Sequence, residues 1–161
     1  MGRPATYKRR GIGRNPAPIS LELMTIATAR WEKSFEIYEA GLTLLRRALE
    51  RGPGALNQLE TEGLIHRFEY SLELAWKIAR DFLEESGMRV APRTPREVLR
   101  QAAAAQVVED SQVWIDMLNH RTLLAHNYDG VVFAEVAEAI ATRYLPAMDQ
   151  LHRFLAARNR D

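Results

Sequence analysis

Three residues near the end of one apolar segment could do chemistry together. In Asn119-His120-Arg121-Thr122-Leu123-Leu124-Ala125-His126-Asn127-Tyr128-Asp129-Gly130, an arginine, a histidine and a tyrosine close a helical pattern that begins near Val113. An arginine can make bidentate bonds to a phosphate and stabilise the charge that builds on it in a transition state. A histidine titrates near neutrality and can take the proton from a ribose 2′-hydroxyl. If that hydroxyl attacks its own phosphate, the reaction needs no metal.

Geometry limits this reading. On an ideal helix Met117, Arg121, Leu124 and Tyr128 lie along one stripe. An arginine in a partly apolar stripe must snorkel, pair with a carboxylate or face a cleft. His126 lies five residues on, about 140° round the helix, so a straight helix does not bring the two tips together. A second copy of the helix across a two-fold axis could complete a pocket, which is a reason to expect a symmetric dimer. The spacing alone also fits a surface arginine and a helix-end histidine.

The rest of the chain supplies the frame. Trp31, Phe35, Tyr38, Leu42, Leu45 and Leu49 step by threes and fours and predict a helix from Leu21 to about Arg51. Arg51-Gly52-Pro53-Gly54 stops it. Ile65, Phe68, Leu72, Ala75, Ala79 and Phe82 predict a second helix from about Ala55 to Glu85, ended by Gly87, with Gly63 as a possible bend. The two should pack antiparallel. Tyr70 and Trp76 lie off the main seam and read as a second packing face.

Thr94-Pro95-Arg96-Glu97 starts a short third helix through Ala102–Ala105, with Thr94 as cap and Glu97 reaching back. Arg93, Arg96 and Arg100 form a basic stripe that reads as a solvated face. Asp110 or Ser111 caps a fourth helix whose buried side is Trp114, Met117, Leu118, Leu124 and Ala125; Asp129-Gly130 breaks it. A last helix from about Val131 to Ala157 carries the seam Phe133, Ala137, Ile140, Tyr144, Ala147, Leu151 and Phe154, with a kink at Pro146. No strand alternation, repeat or Gly-rich phosphate loop is present. The fold expected is all-α: an up-down bundle of four long helices and one short one over residues 21–161, behind a mobile tail over residues 1–20.

Composition excludes several classes. The chain has 161 residues, enough for one domain with a sizeable core, and no cysteine, hence no disulfide framework or thiolate site. No apolar run approaches the roughly 20 residues of a membrane span, and no signal peptide is expected. The net charge of +1 hides an asymmetry. Five of the 22 basic residues (Arg3, Lys8, Arg9, Arg10, Arg14) lie in the tail, leaving 17 against all 21 acidic residues, a net of −4. Any attraction to RNA must therefore be local or come from the tail.

Glu69 and Glu73 lie one turn apart on the second helix. An exposed acidic pair is the simpler account; a clamp for an arginine such as Arg121 is the other. His66, His120 and His152 have no partners at metal-ligand spacing, so no metal site is expected. His120, Thr122 and Asn127 are candidate groove or support residues.

Taken in order, Phe68-Glu69-Tyr70-Ser71-Leu72-Glu73-Leu74-Ala75-Trp76-Lys77, Thr94-Pro95-Arg96-Glu97-Val98-Leu99-Arg100, Trp114-Ile115-Asp116-Met117-Leu118 and Arg121 to Asp129 resemble one family, over roughly residues 25–155. It is the HepT-like, or nucleotidyltransferase substrate-binding, branch of the HEPN superfamily. The resemblance implies a HEPN-like homodimeric helical bundle and a small nucleotidyltransferase partner. In toxin members an Arg-x₄-His-x-Tyr motif serves a ribonuclease. By match, Arg121 and His126 would be the catalytic pair acting on RNA, tRNA among the candidates. Tyr128 matches the tyrosine to which the partner antitoxin adds AMP from ATP; the chain itself would need no cofactor. The absence of cysteine suits a cytoplasmic protein. The residue after the arginine is commonly Asn or Asp in the family and is Thr122 here. The alternative is a non-catalytic subunit that presents a substrate to the nucleotidyltransferase.

Overall fold

A computed structural model describes the backbone of residues 19–159 and the side chains of residues 32–159. The basic tail and Trp31 of the first seam lie outside the described residues and side chains respectively. The fold is all-α, and no strand occurs among the described residues. In chain order the helices are α1 (Ile19–Ala48), α2 (Gln58–Glu85), α3 (Pro95–Ala104), α4 (Ser111–His126), α5 (Gly130–Ala139) and α6 (Leu145–Arg158), with a π-helical turn at Ile140–Tyr144 joining the last two into one continuous rod.

The seams close a single core. Phe35, Tyr38, Leu42 and Leu45 of α1 and Ile65, Phe68, Leu72, Ala75 and Ala79 of α2 are buried. α1 and α2 run antiparallel: Arg67 Nη1 donates to the Leu44 carbonyl, while Gly41 meets Ser71. α6 packs on α1 as well. The buried Tyr38 hydroxyl donates to the Met148 carbonyl at 2.8 Å, and Arg46 pairs with Asp149. Trp76 packs as expected, whereas Tyr70 is exposed and joins no second face.

Helix ends show where local chemistry decides. α2 starts at Gln58 rather than near Ala55, because Asn57 and Glu60 form a reciprocal capping box; Pro53–Ala55 is a short 3₁₀ turn. Gly63 lies inside α2 without breaking it. Gly87 (φ 87°) ends α2 in a Schellman motif, with the Met88 amide bonded to the Leu83 carbonyl. α3 ends in the same motif, but a non-glycine, Gln106, takes the left-handed position at φ 60°. Thr94 caps α3 as expected; Glu97 does not reach back and accepts instead from Arg100 and Gln101. The basic stripe is occupied by local partners: Arg93 pairs with Glu84, Arg96 donates to Asn119, and Arg100 pairs with Glu97.

The last seam departs from expectation at one step. The Leu145 amide bonds to the Ile140 carbonyl, five residues back. With this extra residue the buried stripe turns, so Met148 and Leu155 join the expected Leu151 in the core, while Ala147 and Phe154 are only partly buried. Pro146 then falls in the first turn of α6, where its missing N–H and its ring cost least. Ala125, expected on the buried side of α4, is exposed, since no buried residue follows Leu118 on that helix.

Two stability predictions follow from the glycines. A Cβ on Gly63 meets nothing within 4 Å, so Gly63→Ala should raise unfolding free energy by about 1 kcal/mol in urea denaturation. A Cβ on Gly41 would stand 2.9 Å from Ser71 Oγ, a buried hydroxyl without a hydrogen-bond partner among the described residues. Gly41→Ala should cost about 1–3 kcal/mol. The cost should be clearly smaller in a Ser71→Ala background; equal costs in the two backgrounds would place the crowding elsewhere.

Candidate functional site

α4 is held along its first half and free along its second. Asp110 caps it, accepting from the Gln112 and Val113 amides, and Trp114, Met117 and Leu118 are buried. Two contacts with the π turn fix its middle. Asp116 pairs with Arg143, and His120 Nδ1 lies 2.7 Å from the Tyr144 hydroxyl. Tyr144 is fully buried and stacks on Phe68. Burial pushes its phenol up to about 12, so it stays a neutral hydroxyl throughout the physiological range. His120 Nε2 lies 3.6 Å from Glu135. His120 is thus half-buried support for the helix rather than an open groove residue.

Beyond His120 the helix is mostly exposed, with Leu124 still packed against the core. Arg121 is half-buried, and its Nη1 donates to Glu73 Oε2 at 3.1 Å. The acidic pair therefore divides: Glu73 holds the arginine, contrary to the simpler expectation. Glu69 makes no hydrogen bond or ion pair among the described residues. Glu73 is itself well supported, by Trp76 Nε1 at 2.9 Å and Lys77 at 2.9 Å. Burial pushes the Glu73 carboxyl up, but the hydrogen bonds from Trp76 and Lys77 and the charges of Lys77 and Arg121 outweigh it and hold it below the usual carboxylate range. Thr122 turns its hydroxyl back to the Leu118 carbonyl.

His126 is the last residue of α4 and is exposed. Asn127 is extended and bonds to the Leu123 carbonyl through both its amide and its side chain, a local C-cap rather than a groove wall. Tyr128 therefore leaves the helical stripe expected for it. It swings across to α2, where its hydroxyl donates to Glu62 Oε1 at 3.0 Å and its ring edge meets Phe133. Asp129 caps α5 by accepting from the Val131 amide, and this cap forces the chain out of α4. The Glu62 carboxylate holds the Tyr128 phenol above its usual range.

The two anchors define a line. Glu62, His66, Glu69 and Glu73 recur at spacings of four, three and four, which is one face of α2. Tyr128 and Arg121 meet its two ends in reverse order, so the free half of α4 lies antiparallel to α2. α4 packs mainly on α3 and the π turn, and long side chains bridge from it to α2. Sequence spacing missed Glu62 altogether. Arg121 and His126 sit on the same exposed stretch, yet no contact joins them within the chain. Two surface clefts among the described residues, of about 310 and 290 Å³ and lined by residues such as Met88 and Phe154 or Arg47 and Arg67, include no residue of this stretch.

A family model described as nucleotidyltransferase substrate binding protein like matches residues 33–157. The chain belongs to this family. The match spans α2, α3, α4, α5 and α6 apart from its last residue, and the second half of α1, so it includes both anchors and the whole Arg121–Tyr128 stretch. A comparison with curated proteins finds no match. No helix among the described residues is long and apolar enough to cross a membrane, and no group of three or more potential metal ligands occurs among them.

A pH prediction follows from Glu73. A carboxyl whose pKa is lower folded than unfolded contributes its full stability above the unfolded value, near 4.3, and loses it as pH falls through the folded value. Urea denaturation between about pH 5 and 3 should show a steeper loss for wild type than for Glu73→Gln. In an NMR titration, Arg121→Ala should move the Glu73 midpoint upward; an unmoved midpoint would mean that the pair carries no charge coupling.

Proposed function

We propose that this chain is the ribonuclease toxin of a toxin–antitoxin pair, acting in the cytoplasm as a homodimer and neutralised when a partner nucleotidyltransferase transfers AMP from ATP to Tyr128. What supports the reading most is a single arrangement: Arg121, His126 and Tyr128 all lie on the one stretch of α4 and its exit that the bundle does not bury. Family membership supports the nucleotidyltransferase partner.

The proposed reaction uses the ribose itself. The 2′-hydroxyl attacks the adjacent phosphorus while His126 accepts its proton. The bond to the 5′-oxygen breaks, and that oxygen leaves with the electron pair and takes a proton from water, giving a 2′,3′-cyclic phosphate and a 5′-hydroxyl end. Arg121 faces the non-bridging oxygens; with one N–H on Glu73, it keeps others for phosphate. Glu73 is then a positioning residue. Arg121 and His126 have no contact within one chain, so a second copy supplies the missing side of the cleft. Near Tyr128, itself 81% exposed, Leu59 and Val131 are also exposed, at 78% and 75%. A partner surface would cover them. AMP on Tyr128 adds bulk and negative charge next to the groove, and both oppose RNA.

A second reading has its own observation. Glu73 already offsets the charge of Arg121, as suits a groove that presents a substrate to the nucleotidyltransferase without catalysis of its own. Expression in cells separates the two. Wild type should arrest growth, and Arg121→Ala and His126→Ala should each relieve it. Purified wild type should cleave RNA, and His126→Ala should lower the rate about 100-fold or more. A harmless wild type that leaves RNA intact favours the binding subunit. After incubation with the partner and ATP, peptide mass spectrometry should find AMP on Tyr128.

A further inference from the structure

The hydroxyl of Tyr128 is not simply exposed. Its proton points to Glu62 Oε1 at 3.0 Å, while the ring rests edge-on against Phe133. The same carboxylate oxygen accepts from Gln58 Nε2 at 3.3 Å, one turn earlier on α2. No ion pair engages Glu62 among the described residues. The neighbouring charges are otherwise engaged or remote. Glu60 closes the Asn57 cap and pairs with Arg51, Asp129 caps α5, and His66 lies one turn further along α2. Among the described residues nothing donates a hydrogen bond to the phenol oxygen, whose lone pairs remain for an incoming electrophile.

We infer that Glu62 is the general base for nucleotide transfer to Tyr128, so that this chain brings its own base to the reaction. The inference rests on the reading of Tyr128 as the modified residue. The Tyr128 oxygen attacks the α-phosphorus of a nucleoside triphosphate. The new O–P bond forms as the bond from that phosphorus to the β-bridging oxygen breaks, and pyrophosphate leaves with the electron pair. The phenol proton passes to Glu62. In the ground state a carboxylate does not deprotonate a phenol, because their ordinary pKa values differ by about six units. As the O–P bond forms, the phenol oxygen becomes positive and its proton strongly acidic, and a base already in place then accelerates the step.

Chemical labelling tests this without RNA or the partner. A neutral aryl sulfonyl fluoride, applied to the full-length protein, labels phenols, and peptide mass spectrometry reads each site. Tyr70 is 53% exposed and makes no hydrogen bond among the described residues, so it serves as the internal reference. At pH 6–7, Tyr128 should be labelled roughly 10-fold or more faster than Tyr70. Glu62→Gln, which keeps an acceptor oxygen, should bring Tyr128 to within about 3-fold of Tyr70 and leave Tyr70 unchanged. Glu62→Asp should give an intermediate rate and guards against a fold defect in the glutamine variant. If Glu62 merely holds the proton, Glu62→Gln should be labelled faster than wild type, and that result, or equal rates, overturns the proposal. If labelling follows the expected pattern but Tyr128 never acquires AMP from the partner, the proposed function fails while the activated tyrosine stands.

Discussion

The placement of the site depends on one hydrogen bond made possible by one extra residue. The π turn at Ile140–Tyr144 sets the buried Tyr144 ring on Phe68 and its hydroxyl 2.7 Å from His120 Nδ1. A phenol at this depth cannot be left without a partner, since an unsatisfied buried hydroxyl costs about 1–3 kcal/mol. His120 is the partner, and the residue that follows it is Arg121. The core thus reaches the residue beside Arg121 through the His120 imidazole. Arg143, in the same turn, fixes the helix one turn earlier through Asp116.

α2 completes the arrangement from across the gap. It carries core residues on one side and a line of carboxylates and a histidine on another. The two ends of that line receive opposite chemistry: Glu73 takes a cation, and Glu62 takes a neutral proton donor. Both carboxylates belong to one rigid helix, whose start is fixed by the Asn57–Glu60 box and whose end is fixed by Gly87. The distance between the anchored guanidinium and the anchored phenol is therefore set by α2 as much as by α4, although α2 contributes none of the three motif residues.

The bundle was legible in the sequence because its seams are long and regular. The helix order, the Thr94 and Asp110 caps and the Gly87 stop all carried local signals. Other features did not announce themselves. The π turn keeps threes and fours on either side, so periodicity runs through it, and only the shift from Ala147 to Met148 betrays it. Gln106 adopts a left-handed conformation with no glycine to mark it. The Asn57-x-x-Glu60 pattern carries the signal for the true start of α2. At the site, Arg121, His126 and Tyr128 were found by motif, and Asp129-Gly130 marked the break. The contacts were harder to read, because Glu62, Glu73 and Tyr144 lie 66, 48 and 24 residues from Tyr128, Arg121 and His120. Spacing within one helix says nothing about such pairings.

The departure of Tyr128 from α4 has a further consequence. Its ring hangs beyond the final helical turn, tethered by one exposed hydrogen bond and one ring edge, with helix caps on both sides closing the backbone without it. A bulky adduct on this oxygen would displace those two light tethers and no main-chain ladder. Covalent marking and global folding are therefore thermodynamically decoupled, and such a mark could be written or erased on the native protein without a detour through an unfolded chain.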